Sequence, residues 1–378
     1  MLIDPDDDPR YRQVTLEWLD TEPDRPARDV FVRLITLGDK AHYDGDLGPY
    51  LMTDCGDGQW RLTLRLRADF RSAYQFCPSR DGLLRGHRFD DDGWHGLIAA
   101  GVADATNPAS FGAVFGNPGP SSVLELPDAP PQSWWQPRPG SAHGVVTEHL
   151  HTGQIFGSTR KIWVYTPPGY DPAGVPLPLI VLLDGDDWIT VGAAPTVDNL
   201  IAEGRIPPSV ILMVDAIDSA TRQVELTDHA TFLRFLVEEL LPWGHAELNL
   251  TRDPARTVLA GQSFGGLMAA YAGLHASDRF GLILSQSGSF WWPGGSEFDV
   301  EAGALIRDYA RSERTTARFY LETGYIEWLL RDLNRHFRDV LVAKGYDVTY
   351  AEYNGGHDYA CWRGGLADGL IALLPPEF

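Results

Sequence analysis

The stretch Trp60-Arg-Leu-Thr-Leu-Arg-Leu-Arg67 alternates strictly, with Trp60, Leu62, Leu64 and Leu66 on one side and Arg61, Thr63, Arg65 and Arg67 on the other. A period of two marks a half-buried antiparallel strand. Val14 to Leu19, Val30 to Leu37 and Ala73 to Cys77 read as its neighbours, separated by turns such as Asp44-Gly-Asp-Leu-Gly-Pro49 and Asp54-Cys-Gly-Asp-Gly58. Short strands of this kind bury their apolar faces against a second sheet, so residues 1–125 are expected to form an all-β sandwich. The arginine row reads as its solvated outer face.

Residues 126–144 break the pattern with a run of prolines and small residues, read as a linker that no sheet interior accepts. Trp134 and Trp135 within it are expected to tack the two domains together. From residue 145 the pattern changes to continuous apolar runs: Leu179 to Leu183, Val210 to Val214, Thr257 to Ala260, Leu282 to Ser285 and Phe319 to Leu321, with Val348 to Tyr353 closing the series. Such runs belong to strands covered on both faces. A hairpin of Val146 to Leu150 and Lys161 to Thr166 opens the sheet, and helical patterns lie at His229 to Trp243, Gly266 to Leu274, Glu327 to Ala343 and Gly365 to Leu374. The fold class is therefore α/β, a mainly parallel sheet with flanking helices over 145–378 preceded by the β-sandwich.

Within that sheet Gly261-Gln-Ser-Phe-Gly-Gly266 follows an apolar strand and opens an apolar helix, the context of a nucleophile elbow with Ser263 as nucleophile. Gly261 and Gly265 are expected to leave room for the strand and helix to cross. A serine hydroxyl needs a base and a group to orient that base, in the order serine, acid, histidine. Of eleven histidines, His357 sits in a glycine-rich loop after the last strand, Asn354-Gly-Gly-His-Asp358, and is the expected base. The acid should leave the end of the preceding strand. Glu327 is the first choice for its loop position, Glu322 the second, and Asp358 the third. An oxyanion hole needs two backbone N–H donors, one from Phe264 and the other from Gly185 or Asp186 in the loop after Leu183. The three carboxylates of that loop lack the spacing and terminal glutamate of a calcium loop, so no metal is expected there.

The 378 residues carry a formal charge of −21, which argues against nucleic acid or an anionic membrane as partner. No apolar run is long enough to span a bilayer, and Met-Leu-Ile-Asp-Pro-Asp-Asp-Asp lacks the features of a secretory signal. Cys55, Cys77 and Cys361 are widely spaced with no C-x-x-C pair, so a cytoplasmic protein with reduced thiols is expected.

Leu183-Asp-Gly-Asp-Asp-Trp188, Val214-Asp-Ala-Ile-Asp218, the elbow itself, Leu284-Ser-Gln-Ser-Gly-Ser-Phe-Trp-Trp292 and Gly355-Gly-His-Asp-Tyr-Ala-Cys-Trp-Arg363 together resemble the enterochelin (enterobactin) esterases of the esterase D branch of α/β-hydrolases. The resemblance extends to the amino-terminal region, where Asp104-Ala-Thr-Asn-Pro108 stands in place of the family's frequent Asp-Pro-Leu-Asn-Pro. It implies a cytoplasmic serine esterase that hydrolyses the trilactone of a ferric tris-catecholate siderophore, with no cofactor and with iron present only as part of the substrate. It also implies that Ser263 attacks, His357 shuttles the proton and Glu327 orients it. An anionic catecholate approaching an acidic protein calls for cations and aromatic faces, for which Arg222, Arg363, Trp188, Trp292 and Trp362 are the candidates. Two rival readings remain: a feruloyl or acetyl carbohydrate esterase of the same branch, against which the missing export signal counts, and a noncatalytic binding protein on a hydrolase scaffold, against which the joint presence of Ser263, His357 and an acid counts.

Overall fold

A computed structural model of the chain describes residues 1–293 and 303–376. Its backbone divides into two compact units, Met1–Pro131 with Gly324–Glu327 and Tyr353–Cys361, and Gln132–Thr323 with Trp328–Glu352 and Trp362–Phe378. The division departs from the linear one expected from the sequence. Two short segments that follow late strands of the second unit belong with the first, held there by bonds such as Arg71 N to Asn354 O (3.0 Å) and Asn354 Nδ2 to Asp69 Oδ1 (2.7 Å).

The first unit contains eight strands: β1 Leu2–Pro5, β2 Tyr11–Leu19, β3 Asp29–Leu34, β4 Thr53–Gly56, β5 Gln59–Arg67, β6 Arg71–Ser79, β7 Ser110–Phe111 and β8 Ser121–Glu125. They form two four-stranded sheets in the orders β1-β2-β5-β4 and β3-β6-β8-β7. Val14, Leu16 and Trp60 of the first sheet share one apolar cluster with Val30, Val32, Leu34, Tyr74, Phe76 and Leu124 of the second, so the alternation read from the sequence faces a common core. The outward arginines of β5 are ion-paired at the surface, Arg61 with Glu17 and Arg65 with Asp6. Two short helices, Leu37–Asp44 and Asp91–Ala99, were not legible in the sequence pattern. Both contribute to a second cluster in which Ala41, Trp94, Leu97 and Ile98 pack on Phe31 and Cys77, which explains why β3 is buried on both faces.

The second unit carries β9 Val145–Thr152, β10 Thr159–Thr166, β11 Leu179–Leu183, β12 Val210–Val214, β13 Thr257–Gln262, β14 Leu282–Gln286, β15 Arg318–Gly324 and β16 Asp347–Tyr353. These make one sheet in the order β16-β15-β14-β13-β11-β12-β10-β9. The opening hairpin is antiparallel, while β11 pairs in parallel with both β12 and β13, and β14 with both β13 and β15. The long helical pattern after His229 resolves into three pieces, with a π-helical segment at Phe235–Leu240 between α-helical turns. Helices at Gly185–Val191, Ala193–Ala202, Ser219–Thr227 and Ala304–Arg311 fill further connections between the strands. The residues after Pro131 lie along the second unit, where Asn199 Nδ2 donates to the carbonyls of Trp134 (2.6 Å) and Gln136 (2.8 Å). Among the described residues no helix is long and apolar enough to cross a membrane.

Candidate active site

Parallel pairing brings Leu182 of β11 beside Ala260 of β13, so the turns that follow both strands emerge side by side. Ser263 follows β13 with φ 58° and ψ −120°, a positive-φ conformation that an L-residue holds only where its surroundings enforce it. Its amide donates to Gln286 O (2.9 Å) and its carbonyl accepts from Ser289 N (3.0 Å) and Leu267 N (3.0 Å), which ties the turn to β14 and to the helix Phe264–His275. The steric demand differs slightly from expectation. A Cβ on Gly261 would lie 2.5 Å from the Gly265 backbone and one on Gly266 would lie 2.7 Å from Ser285 Oγ, whereas one on Gly265 finds ordinary contact distances.

Phe264, Gly265 and Gly266 form the first turn of that helix, whose amides have no intrahelical acceptor. Gly185 and Asp186 stand likewise at the start of the helix Gly185–Val191, after Asp184 in a left-handed conformation (φ 57°). Two helix N-termini are thus presented together, the arrangement that stabilises an oxyanion. Asp184 locks them in register. Its carboxylate accepts from Arg222 Nε and Nη2 (both 2.7 Å) and from Gln262 Nε2 (2.6 Å), while Gln262 Oε1 accepts from Trp188 Nε1 (3.2 Å). Burial, followed by the charge of Asp184, raises the Asp186 carboxyl above its ordinary value.

This network corrects the expectation for the binding residues. Arg222 is 2% exposed and committed to Asp184, and Trp188 is buried with its indole nitrogen bonded. Arg363 is 4% exposed, its guanidinium 3.8 Å from the Trp135 ring centroid and its Nε bonded to Gln132 Oε1 (2.7 Å). Trp362 is buried and donates to Ser287 Oγ (3.1 Å). These side chains build walls, because each polar group taken from water must find a partner inside. Trp292 differs: half-buried, it forms an aromatic cluster with Trp291 and Phe264, the residue directly after the nucleophile, at centroid separations of 5.6 to 5.8 Å. Ser289 escaped the sequence reading. Its Oγ lies 3.2 Å from Ser263 Oγ, and the run Ser287-Gly-Ser289 after β14 was its only trace.

In the other unit, His357 Nδ1 and Glu327 Oε2 are 2.6 Å apart. Glu327 is fully buried, and its second oxygen accepts from Gly324 N (2.5 Å) and Tyr353 Oη (3.4 Å). Glu322, the second candidate, is engaged elsewhere: its carboxylate accepts from Gln286 Nε2 (2.6 Å) and Tyr320 Oη (3.2 Å). Asp358 serves the loop itself, accepting from Ala360 N (2.7 Å), Ala73 N (3.2 Å) and Ser72 Oγ (3.2 Å).

Burial pushes the Asp358 carboxyl from 3.8 up to about 6, against the pull of those donors. Because the folded value lies above the unfolded one, the group favours the fold below about pH 4, and that contribution is lost as pH rises through 6. The unfolding free energy of the wild type relative to Asp358→Asn should therefore fall by about 2 kcal/mol between pH 4 and pH 7. Urea unfolding across that range measures it, and a pH-independent difference would contradict the assignment.

Family models match on both sides of residue 140: "Enterochelin esterase, N-terminal" over residues 13–135 and "Putative esterase" over residues 153–373. The chain is 34% identical to the iron(III) enterobactin esterase of Escherichia coli O6:H1 over 97% of its own length and 92% of that protein. It belongs to the enterochelin esterase family. Among solved structures, the enterobactin esterase of Shigella flexneri in the presence of enterobactin superimposes with a TM-score of 0.85 at 32% identity, covering 98% of this chain and 95% of that one. A ferulic acid esterase from Anaeromyces mucronatus shares the fold alone, with 16% identity over 66% of this chain and a TM-score of 0.55. As a member of the enterochelin esterase family the chain is a carboxylic ester hydrolase, with an amino-terminal pair of β-sheets and a carboxy-terminal α/β unit.

Proposed function

We propose that this esterase hydrolyses the trilactone backbone of a ferric tris-catecholate siderophore and so releases iron from its chelate in the cytoplasm. The observation that carries the reading is an elbow serine with paired helix N-termini, in a chain similar over nearly its whole length to enterobactin esterases. In this reading Ser263, Glu327 and His357 follow β13, β15 and β16 of one sheet, in the order serine, acid, histidine. Ser263 Oγ bonds to a lactone carbonyl carbon while its proton passes to His357. The amides of Phe264 and of Gly185 or Asp186 receive the oxyanion. Collapse of the tetrahedral intermediate breaks the ring C–O bond, and His357 returns the proton to the departing serine alkoxide. A water, deprotonated by His357, then cleaves the acyl-enzyme to a free carboxylate and restores Ser263. Glu327 holds the imidazole in the tautomer with its proton on Nδ1, which makes Nε2 the acceptor. Each step is carried by side chains and backbone amides, with the iron as cargo.

The aromatic cluster of Phe264, Trp291 and Trp292 supplies the face for a catechol ring in this reading. Trp292→Ala should raise KM for the ferric trilactone by about tenfold, the order expected for one lost ring contact, and leave turnover of a short-chain acetate ester nearly unchanged. Steady-state kinetics on both substrates reads the difference, and an equal loss on both would assign Trp292 to packing. The substrate class is tested by incubating the enzyme with a ferric trilactone siderophore and, separately, with methyl ferulate, following products by chromatography. Linear and monomeric catecholoyl-serine products are expected from the first. Turnover of ferulate alone would replace this reading with that of a feruloyl esterase.

A further inference from the structure

Thr36 is the central residue of a three-residue turn in which Leu37 N donates to Ile35 O (3.0 Å), and it adopts φ 73° and ψ −55°. This is the positive-φ γ-turn, the rarer and strained of the two forms, and a β-branched residue is an outlier there. Strain of this kind persists only where neighbouring structure over-determines it, and it concentrates at functional sites. The neighbours are visible. Ile35 N is bonded to Ala73 O (3.0 Å), and the Asp39 carboxylate accepts from Thr36 N (3.4 Å) while paired with buried Arg33 (2.8 Å).

The turn brings the Thr36 hydroxyl, which also takes part in a capping box with Asp39 at the start of the helix Leu37–Asp44, to the backbone amide of His357, whose N lies 2.6 Å from Oγ1. The approach is close enough that a Cβ on Gly356 would overlap the Thr36 side chain, so residue 356 is confined to glycine. Other bonds from the same unit grip the rest of the loop: Asp358 on Ser72 and Ala73, and Cys361 Sγ on Arg71 O (3.4 Å). The Thr36 bond acts on the backbone of His357 itself. Glu327 fixes the far end of that residue through Nδ1, so the imidazole is held at both ends, by its ring and by its backbone.

We propose that Thr36 is a positioning residue for the esterase reaction: its strained turn holds the His357 backbone so that the imidazole stays at the working height for proton transfer. The inference rests on the assignment of His357 as the base. Displacement of a catalytic group by about 1 Å costs up to about 100-fold in rate, so the bond is expected to act on turnover and not on substrate affinity.

Thr36→Val keeps the shape and branching but removes the acceptor, and Thr36→Ser keeps the acceptor. With the ferric trilactone, Thr36→Val should lower kcat by about 10- to 100-fold with KM within about twofold, while Thr36→Ser stays within about threefold of wild type. The rate at which a fluorophosphonate labels Ser263 should fall in parallel. Gly356→Ala, which pushes the hydroxyl off the amide from the opposite side, gives an independent reading with the same expected kcat loss should Thr36→Val fold poorly. Full kcat in Thr36→Val or in a folded Gly356→Ala overturns the proposal, as does equal impairment of Thr36→Ser and Thr36→Val. Failure of the underlying reading looks different: His357→Ala then labels at the wild-type rate, or wild-type enzyme labels normally yet leaves the trilactone intact.

Discussion

Ser263→Ala is expected to lower kcat on the ferric trilactone by about 10⁵- to 10⁶-fold, the scale on which removal of a triad nucleophile acts in a serine hydrolase. The Oγ is the only atom lost. Backbone bonds from Ser263 N to Gln286 O and from Ser289 N to Ser263 O remain, and alanine meets the same positive-φ strain at φ 58° as serine, so the elbow keeps its shape. The variant should bind substrate with near wild-type affinity, because the two helix N-termini and the aromatic cluster beside Phe264 are untouched. Product chromatography after long incubation, with siderophore binding followed by fluorescence quenching, reads both halves. Unabated turnover by the alanine variant would remove Ser263 from the chemistry altogether.

Glu327→Gln should lower kcat by about 10⁴-fold, and Glu322→Gln by less than about tenfold. The first figure follows from the hydrogen bonds of the carboxylate. One oxygen of Glu327 accepts from Gly324 N, so a glutamine keeps its carbonyl on that donor and turns its NH₂ toward His357 Nδ1. The imidazole must then accept at Nδ1 and carry its proton on the nitrogen required to be a base. The geometry survives and the tautomer is wrong. Glu322 is bonded to Gln286 and Tyr320, so its amide variant perturbs packing near β14 and not the histidine. Rates of both variants on one ester suffice, with thermal unfolding as the control for folding, and the reverse ranking would hand the role to Glu322.

Much of this organisation is legible in the sequence, for reasons of periodicity. Period-two alternation over Trp60 to Arg67 and unbroken apolar runs such as Leu179 to Leu183 follow directly from which faces of a strand are buried. The helices Leu37–Asp44 and Asp91–Ala99 left no such mark, since each is short and packs on one sheet face through only a few residues. Arg222, expected at the substrate, leaves no mark of its partner for a related reason. A guanidinium has the same letter whether it faces a substrate or neutralises a buried carboxylate, and only the position of Asp184 shows that Arg222 does the latter.

The sequence by itself pointed to Ser263 as the proposed nucleophile and His357 as the proposed base, because both sit in local signals: a glycine-flanked turn between strand and helix, and a glycine-rich loop after the last strand. It also ranked the acid by loop placement alone. Only the tertiary structure decided that Glu327 grips His357, that Ser289 stands against the nucleophile, and that a strained threonine more than 300 residues away along the chain holds the histidine's backbone. Those contacts join positions distant in sequence through hydrogen bonds of single atoms, and no period or spacing along a chain encodes the distance between two such atoms.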